Sequence, residues 1–191
     1  VQLHLPDGRA LTGPRGAKVG EFLEAVKSDF SAPIVAAIVN EELHELTHPI
    51  ERESVVRPVT MDSADGARIY RRSLVFLLEM AFAELFPKGK LTIDHSLSSG
   101  GYFCQVGERA ALTQPELDSL ASHMRALIKE NLPFGRREIP LEEAIQYFKK
   151  LKFDDKVRLL AHRPKPYLTL YTLKDRMDYM HGYMAPSTGS L

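Results

Sequence analysis

The opening residues, Val1-Gln2-Leu3-His4-Leu5-Pro6-Asp7-Gly8, establish the fold of the N-terminal part of the chain. Apolar side chains at positions 1, 3 and 5 alternate with polar ones at positions 2 and 4, which is the period-two pattern of a β-strand. Asp7-Gly8 is a pair typical of tight turns, and it predicts a hairpin whose second strand covers residues 9–12.

A helix and a further strand are predicted after this hairpin. Apolar residues recur at helical spacing between positions 19 and 26 and predict an amphipathic helix over residues 19–29, and Pro33 follows its end. The β-branched run Ile34-Val35-Ala36-Ala37-Ile38-Val39 favours a buried strand. The order hairpin, helix, strand predicts a β-grasp module over residues 1–60.

The rest of the chain has the pattern of a second, α+β module. Residues 61–66 are small and polar, so they are predicted to form a hinge between residues 1–60 and residues 67–191. A helix over residues 67–86 is followed by two strands around a turn at residues 98–101. Thr113, with Glu116 three residues later, is predicted to cap a long helix. Further helices and strands up to residue 171 predict helices covering an antiparallel sheet.

Composition limits the class of protein. The chain has 191 residues with 25 basic and 25 acidic side chains. A net charge of zero disfavours, without excluding, a protein that binds RNA through its phosphates. No apolar stretch is long enough to span a membrane. Cys104 is the only cysteine, so we expect no disulfide and a cytoplasmic location. Its neighbours Phe103 and Val106 indicate a strand interior and predict a buried, inert thiol.

The segment His44-Glu45-Leu46-Thr47-His48 fits the HExxH pattern of zinc hydrolases. That pattern binds zinc because a helix directs both imidazoles to one metal ion. Here a strand-like run precedes the segment and Pro49 follows it, which disfavours a helix. We therefore expect the two histidines to be held apart and the protein to bind no zinc.

With both modules defined, the chain resembles the N-terminal half of threonyl-tRNA synthetases. Residues 1–60 resemble a TGS domain. Residues 67–191 resemble the second additional, or editing, domain, through the segments Arg72–Leu78, Leu85-Phe86-Pro87 and Gly101-Tyr102-Phe103. The resemblance implies an editing site with HxxxH on the first helix and CxxxH near the end of the domain.

The residues of that editing site are replaced in this chain. Arg72 and Phe76 occupy the HxxxH positions, and Met180 and Met184 occupy the CxxxH positions. None of these four side chains is a usual ligand of a first-row metal. We therefore expect no catalytic residue and no metal in this region.

These degenerate positions form instead a candidate ligand pocket, with His181 and Tyr183 beside them. Its predicted ligand is a small nucleotide or an aminoacyl group. A filled apolar core is the alternative, because Met and Phe pack well.

A second resemblance is to bacterial proteins in which such domains precede a uridine kinase-like domain. It is based on the segments His95–Tyr102 and His181–Gly189. This resemblance implies that the chain is a piece of a longer transferase, in which this region is noncatalytic and regulatory. Its partner would be a C-terminal kinase domain of the same chain, which uses ATP and Mg²⁺. A divergent editing hydrolase and an RNA-binding adaptor are the alternatives.

Overall fold

A computed structural model describes residues 1–97 and 100–191 of the chain. The turn predicted around Ser98 and Ser99 therefore lies outside the described residues. Contacts divide the chain into two compact units, one formed by Val1–Pro133 with Tyr183–Leu191 and the other by Phe134–Gly182. This division differs from the predicted boundary at residues 61–66, and the three-part domain organisation stays a prediction.

The first unit begins with a five-stranded sheet and a short helix. Their bounds are β1 (Gln2–His4), β2 (Ala10–Thr12), α1 (Val19–Leu23), β3 (Ile34–Val39), β4 (Glu42–Glu45) and β5 (Ser54–Thr60). The strand order is β2-β1-β5-β3-β4. Strand β1 pairs with β5 in parallel, and the other pairs are antiparallel. A 3-10 turn over Glu24–Asp29 extends α1, so the predicted helix over residues 19–29 is helical in two parts.

The central strand β5 was not predicted from the sequence. Buried and exposed residues alternate from Ser54 to Arg57, as in a strand with one covered face, and Val59 is buried again after the half-buried Pro58. Pro58 lies within it, and a proline ordinarily argues against a central strand because it donates no backbone hydrogen bond. The pairing with β1 and β3 nevertheless places β5 in the middle of the sheet, over a core that contains Leu3, Val19 and Leu23.

The rest of the first unit consists of two long helices and a β-hairpin. Their bounds are α2 (Ala64–Leu85), β6 (Lys90–Ser96), β7 (Tyr102–Gly107) and α3 (Gln114–Lys129). The capping box of Thr113 and Glu116 is present at the start of α3, as predicted. Ser63 caps α2 by accepting a hydrogen bond from the Gly66 N–H, so residues 64–66 of the predicted hinge form the first turn of this helix.

The C-terminal segment Tyr183–Leu191 returns to this unit and is anchored by Thr188. The Thr188 side chain is fully buried, donates a hydrogen bond to the Leu127 carbonyl (2.7 Å) and accepts one from the Leu132 N–H (2.9 Å). The segment is therefore bound to the end of α3 and the loop that follows it.

The second unit contains two helices and a three-stranded antiparallel sheet. Their bounds are β8 (Gly135–Pro140), α4 (Leu141–Lys150), α5 (Asp154–Ala161), β9 (Tyr167–Leu173) and β10 (Arg176–Asp178), with strand order β10-β9-β8. Its core packs Phe148 and Leu160 of the helices against Leu168 and Leu170 of β9. The α+β class is confirmed, although the strands after residue 61 form two separate sheets rather than one. Among the described residues, no helix combines the length and apolar content that crossing a bilayer requires.

Candidate functional site

Arg72 and Phe76, the residues predicted at the HxxxH positions, lie on α2. Phe76 is completely buried, and Arg72 is partly buried with its Nη1 donating a hydrogen bond to the Tyr183 carbonyl. Arg72 therefore binds the returning C-terminal segment and does not simply face solvent.

Ser73, next to Arg72, forms a second connection to the same segment. Its fully buried hydroxyl donates to the Ile69 carbonyl (2.9 Å) and accepts from the Ala185 N–H (2.8 Å). Sequence reasoning missed this residue, because a serine within a helix usually bonds only to the carbonyl one turn earlier. Two neighbouring residues of α2 thus hold residues 183–185.

The predicted pocket residues fall in both units. Tyr183 and the buried Met184 belong to the first unit, like Arg72 and Phe76. Met180 and His181 belong to the second, where the His181 ring meets the edge of the Tyr179 ring at a centroid distance of 4.6 Å. That the six residues form one ligand pocket stays a prediction.

The four residues predicted at the motif positions, Arg72, Phe76, Met180 and Met184, differ in chemistry from the side chains of a zinc hydrolase. Arg, Phe and Met offer neither an imidazole nor a carboxylate to bind zinc or to move a proton. In the part of the chain that the structure describes, no group of three His, Cys, Asp or Glu side chains is placed to hold a metal ion. That the protein binds no zinc stays a prediction.

The HExxH segment is not helical, but the prediction that its histidines are held apart is wrong. His44 lies on β4 and His48 in the turn after it, and their rings stack with centroids 3.8 Å apart and planes inclined by 23°. Burial, and then the charge of His44, lower the pKa of His48. Because the ring planes are inclined by only 23°, the in-plane lone pairs of the two imidazoles point side by side rather than toward one common metal ion.

The prediction of a buried thiol is also wrong, because Cys104 on β7 is exposed. The β6–β7 hairpin leaves most side chains of β7 in solvent, so apolar neighbours in sequence do not bury this residue. The pKa of Cys104 is raised, by partial desolvation and then by Glu79, which opposes formation of a nucleophilic thiolate.

Charge is distributed unevenly between the units. Residues 134–182 contain 11 Lys and Arg against 7 Asp and Glu, a net charge of +4, so the remaining residues carry −4. Three lysines, Lys149, Lys150 and Lys152, are exposed at the end of α4 and just beyond it. The zero net charge of the whole chain concealed this basic unit, which a count over shorter segments would have found.

The sheet with β1 parallel to β5, together with α1, is a β-grasp-like fold, and residues 1–60 match the TGS domain family. These residues therefore form a TGS domain.

The whole chain is similar to threonine–tRNA ligases. It is 33% identical to that of Acidithiobacillus ferrooxidans over 190 residues, which are 99% of this chain and 29% of that protein. It is 30% identical to those of Coxiella burnetii and Thermotoga maritima, again over 99% of this chain and 29% of each protein. The chain is thus homologous to the N-terminal region of threonine–tRNA ligases and spans about 29% of their length.

These relatives overturn the main functional expectation. Proteins matched over nearly the whole chain are tRNA ligases, so the expectation of a regulatory region in a uridine kinase-like transferase is wrong. The alternatives that involve tRNA, an editing hydrolase or an RNA-binding adaptor, fit these relatives better.

Proposed function

We propose that this chain is a tRNA-binding region of the threonine–tRNA ligase type that binds tRNA without hydrolysing its aminoacyl ester. Its similarity to ligases whose substrate is a tRNA supports an RNA partner. The absence of hydrolysis in this proposal is supported by one observation: residues predicted at the editing-motif positions make structural contacts. Arg72 binds the Tyr183 carbonyl, and Phe76 and Met184 are buried.

The basic unit, residues 134–182, is the proposed RNA-binding surface. A net charge of +4 on 49 residues attracts phosphates, and each neutralised phosphate releases counterions and strengthens binding. Lys149, Lys150 and Lys152 supply three exposed ammonium groups within four residues of chain.

Binding is tested with a radiolabelled threonine tRNA in a filter assay at several salt concentrations. The double variant Lys149→Glu/Lys150→Glu is expected to weaken binding at least tenfold and to reduce the salt slope by about 2, because two phosphate contacts are lost. The matched control is Lys88→Glu/Lys90→Glu, which makes the same charge change at exposed positions of the other unit. An equal loss of tRNA affinity in both variants would show that binding depends on the total charge of the protein and would contradict the assignment of this surface.

Catalysis is tested separately with mischarged threonine tRNA. The protein is expected to leave the rate of deacylation at that of buffer alone, with or without added Zn²⁺. Acceleration that Arg72→Ala abolishes would contradict the proposal and establish the editing hydrolase.

A further inference from the structure

The second unit carries a cluster of rings and cations that the proposed function does not use. Tyr167 begins β9, Tyr179 follows the end of β10, and His181 lies two residues further on. Tyr167 is 37% exposed, Tyr179 is partly buried and His181 is exposed, so each of the three residues reaches solvent. We name these residues, together with Arg163 and Lys165, the Tyr167 cluster.

Arg163 connects the two tyrosines of this cluster. Its Nε donates a hydrogen bond to the Tyr167 carbonyl (3.1 Å), and its guanidinium carbon lies 5.7 Å from the centroid of the Tyr179 ring. That separation is within the range of cation–π attraction. Since His181 meets the edge of the same ring, one guanidinium and two rings lie together at the surface of this unit.

The backbone that carries Tyr179 is fixed by a buried ion pair. Asp178 is only 2% exposed, and both of its carboxylate oxygens accept hydrogen bonds from the Lys156 ammonium (2.6 Å each). The Oδ1 of Asp178 also accepts one from the Tyr179 N–H (2.6 Å). Because Asp178 pairs with Tyr171 on β9, Tyr179 is held beside the sheet before any ligand binds.

Cations alternate with the aromatic residues along the chain. Lys165 is exposed, and its Nζ lies 5.8 Å from the centroid of the Tyr167 ring. Residues 158–170 contain no Asp or Glu. Proteins that bind single-stranded nucleic acids combine rings, on which bases stack, with cations that follow the phosphates. The Tyr167 cluster supplies both kinds of group.

Two carboxylates at the start of α4 belong to the same unit. Glu142 and Glu143 follow Leu141, whose N–H donates a hydrogen bond to the Pro166 carbonyl (2.9 Å), and Glu142 accepts a hydrogen bond from Gln146 (2.7 Å). The net charge of +4 on residues 134–182 already counts both carboxylates, so the unit as a whole attracts phosphates in their presence.

We propose that the Tyr167 cluster binds unpaired nucleotides of an RNA, with bases stacked on its rings and phosphates at Arg163 and Lys165. This inference rests on the proposed function and names the kind of RNA segment that the basic unit contacts. Unpaired bases fit because their faces are free to stack on an aromatic ring or a guanidinium, whereas the bases of a double helix already stack on one another.

The first test compares a short unstructured RNA with the same strand annealed to its complement, by fluorescence anisotropy at one salt concentration. The single strand is expected to bind about fivefold or more tightly than the duplex, although the duplex carries twice the charge. Duplex binding that is equal or tighter would overturn the proposal, because it would show that phosphates alone are recognised.

Two equally exposed tyrosines provide a matched pair of variants. Tyr167→Leu is expected to weaken binding of the single strand about fivefold or more, and Tyr167→Phe by less than about twofold, because phenylalanine keeps the stacking face. The control is Tyr102→Leu in the other unit, where Tyr102 is 38% exposed, and it should bind like the wild type. Equal affinities of Tyr167→Leu and the wild type would overturn the proposal.

A second variant leaves the packing of the rings untouched. Lys165→Gln, at an exposed position, is expected to fold like the wild type and to reduce the salt slope of single-strand binding by about 1, because one phosphate contact is lost. An unchanged slope would contradict the assignment of Lys165 to a phosphate.

The tRNA filter assay separates this inference from the proposed function. Tyr167→Leu is expected to lower tRNA affinity by a similar factor at every salt concentration and to leave the salt slope unchanged, because stacking neutralises no phosphate. If the wild type binds tRNA with the lysine-dependent slope and Tyr167→Leu binds equally well, this site is wrong and the proposed function stands. If the wild type fails to bind tRNA but binds the single strand through Tyr167, the proposed function is wrong and this site stands.

Discussion

Replacing Ser73 by alanine tests whether α2 really holds the C-terminal segment. The substitution removes the hydroxyl that accepts a hydrogen bond from the Ala185 N–H. Ala185 is only 2% exposed, so its N–H would be buried without a partner. Leaving a buried donor unsatisfied costs about 1–3 kcal/mol.

The matched control is Ser119→Ala on α3. The hydroxyl of Ser119 also donates to the carbonyl one turn earlier, that of Pro115 (2.9 Å), but this residue is exposed and holds no distant segment. Both substitutions gain the same helix propensity, about 0.5 kcal/mol. The difference between the two variants therefore isolates the bond to Ala185.

The assay is urea unfolding combined with hydrogen exchange at the Ala185 amide. Ser73→Ala is expected to be about 1–3 kcal/mol less stable than Ser119→Ala, which corresponds to a melting temperature lower by about 2–12 °C for a protein of this size. Exchange at Ala185 should accelerate about tenfold, because each 1.4 kcal/mol is a factor of ten. Equal stability of the two variants, with unchanged exchange at Ala185, would refute the reasoning.

Three further predictions concern single residues. Thr188→Val should lower the free energy of unfolding by about 2 kcal/mol, because the partly buried Leu132 N–H and the Leu127 carbonyl lose their shared hydroxyl, whereas Thr188→Ser should cost less than about 1 kcal/mol in the same urea titration. Gly66→Ala should destabilise the protein by about 3 kcal/mol or more in thermal unfolding, because its Cβ would lie 1.9 Å from the Thr60 carbonyl oxygen, while Gly101→Ala, with open space around its Cβ, should change stability by less than about 0.5 kcal/mol. The hydrogen bond from Arg109 lowers the pKa of Glu116 to about 2 from its ordinary 4.5, so the stabilisation from this carboxylate is complete above pH 4.5 and disappears as the pH falls through 2. Between pH 5 and pH 2 the wild type should lose more stability than Glu116→Gln, and an NMR titration of the Glu116 carboxyl with a midpoint above pH 4 would contradict this.

Local patterns in the sequence were sufficient for most of the secondary structure. The hairpin of β1 and β2, the strand β3 and the capping box at Thr113 follow from alternation, β-branching and cap chemistry, which act over a few residues. Strand β5 was missed for two reasons. Its place in the sheet is decided by pairing with β1 and β3, which are distant in sequence, and Pro58 argues against a central strand.

The sequence by itself also determined that the predicted motif positions carry Arg72, Phe76, Met180 and Met184, none of which is a usual zinc ligand in any fold. What these side chains do instead was decided only by the tertiary structure. The bond from Arg72 to the Tyr183 carbonyl joins residues 111 positions apart, and the stack of His44 on His48 depends on a turn geometry that a sequence pattern does not specify. Periodicity encodes which face of one element is buried, whereas contacts between distant elements depend on how the whole chain packs.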